Sequence, residues 1–406
     1  MQPSPSIIDP KLDKDTRPPF SPAKTTVPSG LQNFELIVFP SFNDVPHGWQ
    51  QFIVASSRNP YQSLEWTTAW SETAGASRGM VPVLAAVACA GKPLAFLPFS
   101  LKSRLGIKEL SCLGHEDGNH YQGIWDEDAL PAFDRQAVLD ILSRLAKEVR
   151  ADLISLQNVP DVLLGRPHPL VLERSTVSPN PVFARDLPTD FEQFFKETHT
   201  KSARKNLLRK ERHLAASGDL KIIKASSLED MDAGLAAFLD QRAIRARETG
   251  IPNAFGTAPS QRFLGQLAGL EGAPRSMDIW WLETNGVIRA TYLCHEHRGC
   301  LYAYSNSVAH DETLPHSPGL VLLKQLVAYA CASKHLHRLD LGLGQERYKA
   351  GWAEPVTLKN SVLPITLRGQ AWAWIELQKI RLKASIRSSA VLWLMIRRLR
   401  KWRNGS

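Results

Sequence analysis

The stretch "SMDIWWLETNGVIRATYLCHEHRGCLYAYSNS" constrains the fold more than any other part of the chain. Three apolar runs rich in aromatic and β-branched residues are separated by Asn285-Gly286 and Arg298-Gly299. Such pairs accept the left-handed backbone of two-residue hairpins, so the stretch predicts an antiparallel meander. Before it, Asp190–Ala216 and "DMDAGLAAFLDQRAIRA" have helical spacing; after it come the helix "SPGLVLLKQLVAYACAS" and the strand "HRLDLGLG". The first half has the same order. "FELIVF" opens it, and "PHGWQQFIVASS" and "SLEWTTAWSETAG" are helical. "VPVLAAVACAGKPLAFLPFSLKS" is a hairpin joined at Gly91-Lys92, and a strand pair runs around "KELSCLG" and "HYQGIW". "DRQAVLDILSRLAKEVR" is a helix and "DLISLQNV" a strand. The expected fold class is therefore α/β: two tandem modules, each a mostly antiparallel mixed sheet flanked by helices. The expected divisions are a disordered Pro-rich leader (1–33), modules at 34–185 and 186–370, and a basic amphipathic helical tail (371–406).

The formal net charge of +9 invites a nucleic-acid reading. Its distribution opposes one, because nine lysines and arginines follow Glu376 and leave the body close to neutral. The tail adds Trp374, Leu377, Ile380, Val391, Leu394 and Trp402, a composition suited to lying on anionic lipid. Five cysteines without a CxxC pair fit a reducing cytoplasm. No apolar run reaches the roughly 18 residues that span a bilayer. The expected place is the cytoplasm, peripheral on the inner face of the cell membrane.

"LDLGLGQERYKAGW" looks at first like a phosphate loop. A Walker loop needs G-x-x-x-x-G-K-[ST], whereas here Lys349 precedes Ala350. What remains is a strand ending near Asp340, a glycine turn, and Tyr348-Lys349 at the sheet's carboxyl edge, where sites gather in open α/β sheets. Ser317-Pro318-Gly319 opens a helix after a strand, an arrangement that suits an anion because backbone N–H groups and the dipole point outward. "HTKSARKNLLRKERHLAASG" sets a basic stripe, Lys201, Arg204, Lys205, Arg209, Lys210 and Arg212, beside Ala203, Leu207 and Leu214 on one helix. His115, Glu116, Asp117 and His120 read as a solvated polar loop rather than a metal site, and no metal is expected.

Taken together, "LYAYSNSVAHDETLPHSPGLVLLKQLVAYACASKHLHRLDLGLGQERYKAGWA", the basic "KSARKNLLRKERHLAASG" and "NPYQSLEWTTAW" resemble the CelD-like acetyltransferase family of the GNAT superfamily. The shared features are a Y-x-Y strand, a P-G helix start, and a D-x-G-x-G-x-x-x-Y-K ending, and the similarity extends from about Phe34 to Thr366. The resemblance implies tandem GNAT-like modules, related to Fem-type aminoacyl transferases, and acyl transfer in extracellular polysaccharide synthesis. Acetyl-CoA would be the donor and an amino sugar the acceptor. Ser317, Gly319 and the Leu320 amide would meet the donor's pyrophosphate. Lys349 would steady the oxyanion, and Tyr348 would protonate the leaving thiol. His120 and Tyr121 stand where relatives often carry Asp-Tyr, so these two, with Arg204, Lys205 and Arg209, are the candidate acceptor-binding residues. Two other readings stay open: an aminoacyl-tRNA donor on the same fold, and a non-catalytic scaffold responsive to a nucleotide or lipid.

Overall fold

The computed structural model describes residues 34–375 and Gln378. The leader and nearly all of the tail lie outside the described residues. Two mixed sheets, one of eight strands and one of seven, make up the body. In spatial order the first runs Glu35–Phe39, Val81–Cys89, Lys92–Arg104, Ile107–Cys112, Leu153–Pro160, Leu358–Pro364 and Thr176–Val177, with Ile124–Trp125 pairing onto Lys92–Arg104. The second runs Leu220–Lys224, Asp278–Thr284, Val287–His297, Cys300–Val308, Arg338–Leu343, Val182–Asp186 and Glu354–Val356. In both, a single parallel pair sits among antiparallel ones: Ile107–Cys112 with Leu153–Pro160, and Cys300–Val308 with Arg338–Leu343. The two modules therefore share one plan, as the order of sequence elements predicts.

The meander forms as its turns require. Asn285, Gly286, Arg298 and Gly299 all have positive φ, which gives the twist that matches flanking strands. Gly299 has a second constraint: a Cβ there would lie 2.0 Å from the His337 ring. The first hairpin turns one residue earlier than expected, at Ala90-Gly91. The expected single helix over Asp190–Ala216 is two, Phe191–Thr198 and Lys201–Ala216, with Asp190 and Thr200 each capping the helix it precedes. Around "HYQGIW" only Ile124–Trp125 is strand.

The sheets also cross the expected boundary between 34–185 and 186–370. Val182–Asp186 pairs with Arg338–Leu343 in the second sheet, and Leu358–Pro364 returns to pair with Leu153–Pro160 in the first. Each sheet thus takes its sixth strand from the chain segment that follows the other. Both contributed strands pair on two sides, so the exchange covers edges that would otherwise expose unpaired backbone groups.

One core joins the modules. Tyr61, Trp66 and Trp70 from the first pack with Phe238, Phe263, Trp281, Tyr302 and Tyr304 from the second. A second core lies between the first sheet and the helix Arg135–Glu148, and a third between the second sheet and the helix Pro318–Ala332.

Burial pushes the His168 imidazole down to about 3. Its ring is neutral and held in place, since one nitrogen faces the Gln122 carbonyl and the other accepts from the Leu170 amide. Unfolding releases the ring to titrate near pH 6.5. Between about pH 6.5 and 3 the unfolded chain therefore binds a proton that the native state does not, and stability falls as pH drops through that window. The slope is up to about 1.4 kcal/mol per pH unit. Urea midpoints at pH 7 and 5 check this: His168→Gln should flatten the dependence by about one proton, and an unchanged slope would assign it elsewhere.

Candidate functional site

The parallel strands of the second sheet pair only over Cys300–Tyr302 and Arg338–Asp340, then part. The opening is built around this separation. On the strand Cys300–Val308, Asn306 and Val308 point to one face. Asn306 Nδ2 donates to the Tyr348 phenol at 3.3 Å. Val308 lies against Gly319, where a Cβ would be 2.9 Å from Val308 Cγ2. The phenol and the start of the helix Pro318–Ala332 thus share one strand face, two residues or about 7 Å apart.

Tyr348 is mostly buried, and burial, with Glu346 adding, raises its phenol above the ordinary value, so it stays protonated near neutral pH. The Tyr292 phenol also bonds to its oxygen. With Asn306 and Tyr292 both donating, the hydroxyl proton of Tyr348 remains available to a third group. Neither supporting residue stood out in the sequence, because each is one polar side chain in a strand.

At the helix start Ser317 has a left-handed backbone, φ 50, and its side chain makes no capping bond. Instead its Oγ accepts from Lys210 Nζ at 2.7 Å. The Leu320 and Val321 amides close onto the Ser317 carbonyl, so the Leu320 N–H expected to meet a phosphate has an acceptor within the chain. Gly319 then carries the first-turn N–H with no acceptor among the described residues. The His213 and His316 rings stack nearby at 5.1 Å. Lys210 was legible only as one member of the basic stripe; docking of its helix beside Pro318–Ala332, through Lys324 and Gln325 to Glu211, singles it out. The first module lacks this arrangement. Its corresponding helix, Arg135–Glu148, is capped by the Asp134 carboxylate on the Ala137 amide at 2.9 Å, which occupies the place of an anion.

Lys349 is 4% exposed. Its ammonium was expected to face an oxyanion, but it donates to the carbonyls of Leu343 at 2.6 Å and Gly342 at 3.4 Å, and pairs with Glu346 at 2.9 Å. Those three partners match the three N–H donors of an ammonium. Lys349 therefore ties down the glycine turn from which Tyr348 extends.

His120 reaches the site from the first module. Its Nε2 lies 3.3 Å from Asp340 Oδ2, just where the parallel strands separate, and its ring is 6.4 Å from that of Tyr302. The other Asp340 oxygen accepts the Gly342 amide at 2.7 Å. Asn59 and Gln122 amides approach His120 Nδ1, each at 3.5 Å, which leaves Nε2 as the N–H that meets Asp340. Gly342 makes the contact possible: a Cβ there would lie 2.5 Å from Asn119 Nδ2.

Other candidates are not brought to the opening. Tyr121 is 2% exposed, packs on Phe99, and belongs to the first module's core. Arg204 donates to the carbonyls of Lys196 and His199, closing the break between two helices. Lys205 is exposed, and exposed Arg209 bonds its own neighbour Asn206. Ala203 is exposed rather than packed with Leu207 and Leu214. In the polar loop, Asp117 accepts from Trp70 and pairs with Arg78. No group of three potential metal ligands occurs among the described residues, and no helix among them is long and apolar enough to cross a membrane.

Comparison with known proteins bears on the fold and on residues 201–350. Residues 201–350 match the family described as "Acetyltransferase (GNAT) domain". No curated protein matches the chain. The crystal structure of FemX is similar at 11% identity over 84% of this chain and 100% of that one, with a TM-score of 0.56. A conserved protein of unknown function from Bacteroides thetaiotaomicron VPI-5482 is similar at 11% identity over 78% and 95%, TM-score 0.49. A tandem GNAT protein from the clavulanic acid biosynthesis pathway is similar at 10% identity over 82% and 99%, TM-score 0.47. The FemX likeness shows the fold. Residues 201–350 match a GNAT acetyltransferase domain, and the activity that match implies is acyl transfer from an acyl-CoA donor.

Proposed function

We propose that the protein transfers an acyl group from acyl-CoA, with acetyl-CoA as the first candidate, to the amine of an amino sugar used in extracellular polysaccharide synthesis. The observation that carries this reading is the helix start at Ser317-Gly319, uncapped by its own side chain and joined by Lys210, on the same strand face as the Tyr348 phenol. Backbone N–H, helix dipole and ammonium together suit a pyrophosphate. The amino-sugar acceptor rests on the resemblance to the CelD-like family.

In this reading the amine attacks the thioester carbon and Tyr348 gives its proton to the departing sulfur. The surplus proton of the new amide nitrogen restores the phenol, so no covalent enzyme intermediate is needed. Lys349 acts by holding the turn that aims Tyr348. His120, oriented by Asp340, lies at the junction of the modules and serves the acceptor side.

Calorimetry with acetyl-CoA is the direct test. Wild-type protein should bind it, and Lys210→Ala should weaken binding about tenfold or more, the usual effect of losing a charge-assisted hydrogen bond. No heat with acetyl-CoA, but binding of an aminoacyl-tRNA, would replace this reading with a Fem-type donor. Binding of neither would leave the scaffold reading.

A further inference from the structure

A concave patch outside residues 201–350 is lined by Lys108, Lys147, Arg150 and Arg368, around Gly106 and Asp152. It lies where the first sheet's hairpin Lys92–Arg104/Ile107–Cys112, the end of the helix Arg135–Glu148 and the helical residues 367–375 meet. Lys108, Lys147 and Arg150 make no ion pair among the described residues. The one carboxylate, Asp152, is already engaged. It accepts from the Lys108 amide at 2.9 Å and the Thr366 hydroxyl at 2.7 Å, with Arg368 at 3.9 Å. A cation in the last turn of a helix is favoured by the dipole, which accounts for Lys147. It does not account for Lys108 and Arg368, which come from other elements.

Large apolar side chains are exposed on the elements that form the patch. Leu105, at the hairpin tip beside Gly106, is 85% exposed; Leu367, beside Arg368, is 82% exposed; and Trp374 is 62% exposed. Arg104 lies over the Trp372 ring at 5.8 Å, so the tip and residues 367–375 form one surface. Leu105 is held there with φ 51, a left-handed backbone that a leucine rarely adopts. Unpaired cations surrounded by projecting leucine and tryptophan fit a surface that is anionic outside and apolar just beneath.

We propose that this face of the first module docks on the anionic phospholipid headgroups of a membrane, with Lys108, Lys147, Arg150 and Arg368 meeting phosphates and Leu105, Leu367 and Trp374 entering the interface. The charge complementarity is independent of the catalytic reading.

Flotation of the full chain with phosphatidylcholine vesicles, with and without phosphatidylglycerol, tests it. Wild type should float with the anionic vesicles only, and less as salt rises. A lysine or arginine near an anionic surface contributes about fivefold in partitioning, so Lys147→Gln with Arg150→Gln should reduce it roughly 25-fold. Leu105→Asn should reduce it further while suiting the left-handed backbone. Unchanged thermal midpoints would show that these exposed variants fold. The tail is intact in all of them. Partitioning equal to wild type would overturn the proposal, as would equal flotation with neutral vesicles, or binding of tRNA without flotation.

Discussion

Tyr348→Phe should lower kcat for transfer from acetyl-CoA to an amino-sugar acceptor by about 10²–10⁴-fold, the usual contribution of a positioned general acid. Acetyl-CoA affinity by calorimetry should stay near wild type, because the proposed phosphate site is Lys210 and Gly319, not the phenol. The split between turnover and binding separates proton donation from a merely structural role. Phenylalanine leaves Asn306 and Tyr292 without their shared acceptor, which should destabilise the protein by about 1–3 kcal/mol. That cost is read separately from the thermal midpoint. The pH profile adds a second readout: the wild-type profile should lose its alkaline limb in Tyr348→Phe, because burial keeps the phenol protonated beyond the ordinary range. Unchanged kcat would remove Tyr348 from the chemistry.

Trp66→Ala should destabilise the whole body by about 3–5 kcal/mol, the range for deleting a large buried aromatic. Trp66 lies in the helix Leu64–Trp70, is 1% exposed, and meets Phe263 of the second module edge-on at 5.1 Å. Gly114 makes room for it, since a Cβ there would lie 2.3 Å from the indole ring. The indole N–H has no partner among the described residues, so the loss is one of packing rather than hydrogen bonding. Both modules should respond together, because the same core holds Tyr61, Phe238, Phe263 and Tyr304, and because the sheets exchange strands. Guanidinium unfolding followed by tryptophan fluorescence and far-UV circular dichroism should shift by the same amount in both signals. A shift below about 1 kcal/mol, or two separate transitions, would mean that the shared core does not couple the modules.

The sequence alone determined the two α/β modules and the hairpins of the second. Turn residues such as Asn285-Gly286 and the two periodicities of apolar residues are local, and local sterics decide them. It also named Tyr348, Ser317 and Gly319 as candidates, because a glycine turn and a P-G helix start are short motifs with a local mechanism. Tertiary structure decided the rest. Lys349 engages two carbonyls and Glu346 within seven residues of itself, but only the folded turn aims its ammonium there. That Lys210 rather than Arg204 reaches Ser317, and that Tyr121 is core while its neighbour His120 meets Asp340, are contacts between distant segments. A tyrosine in a polar loop has the same local signature whether it packs inward or meets a ligand. The strand exchange was equally hidden, since Val182–Asp186 and Leu358–Pro364 read as strands in either sheet. Which edge they join depends on backbone hydrogen bonds to partners more than a hundred residues away, and no local pattern specifies that choice.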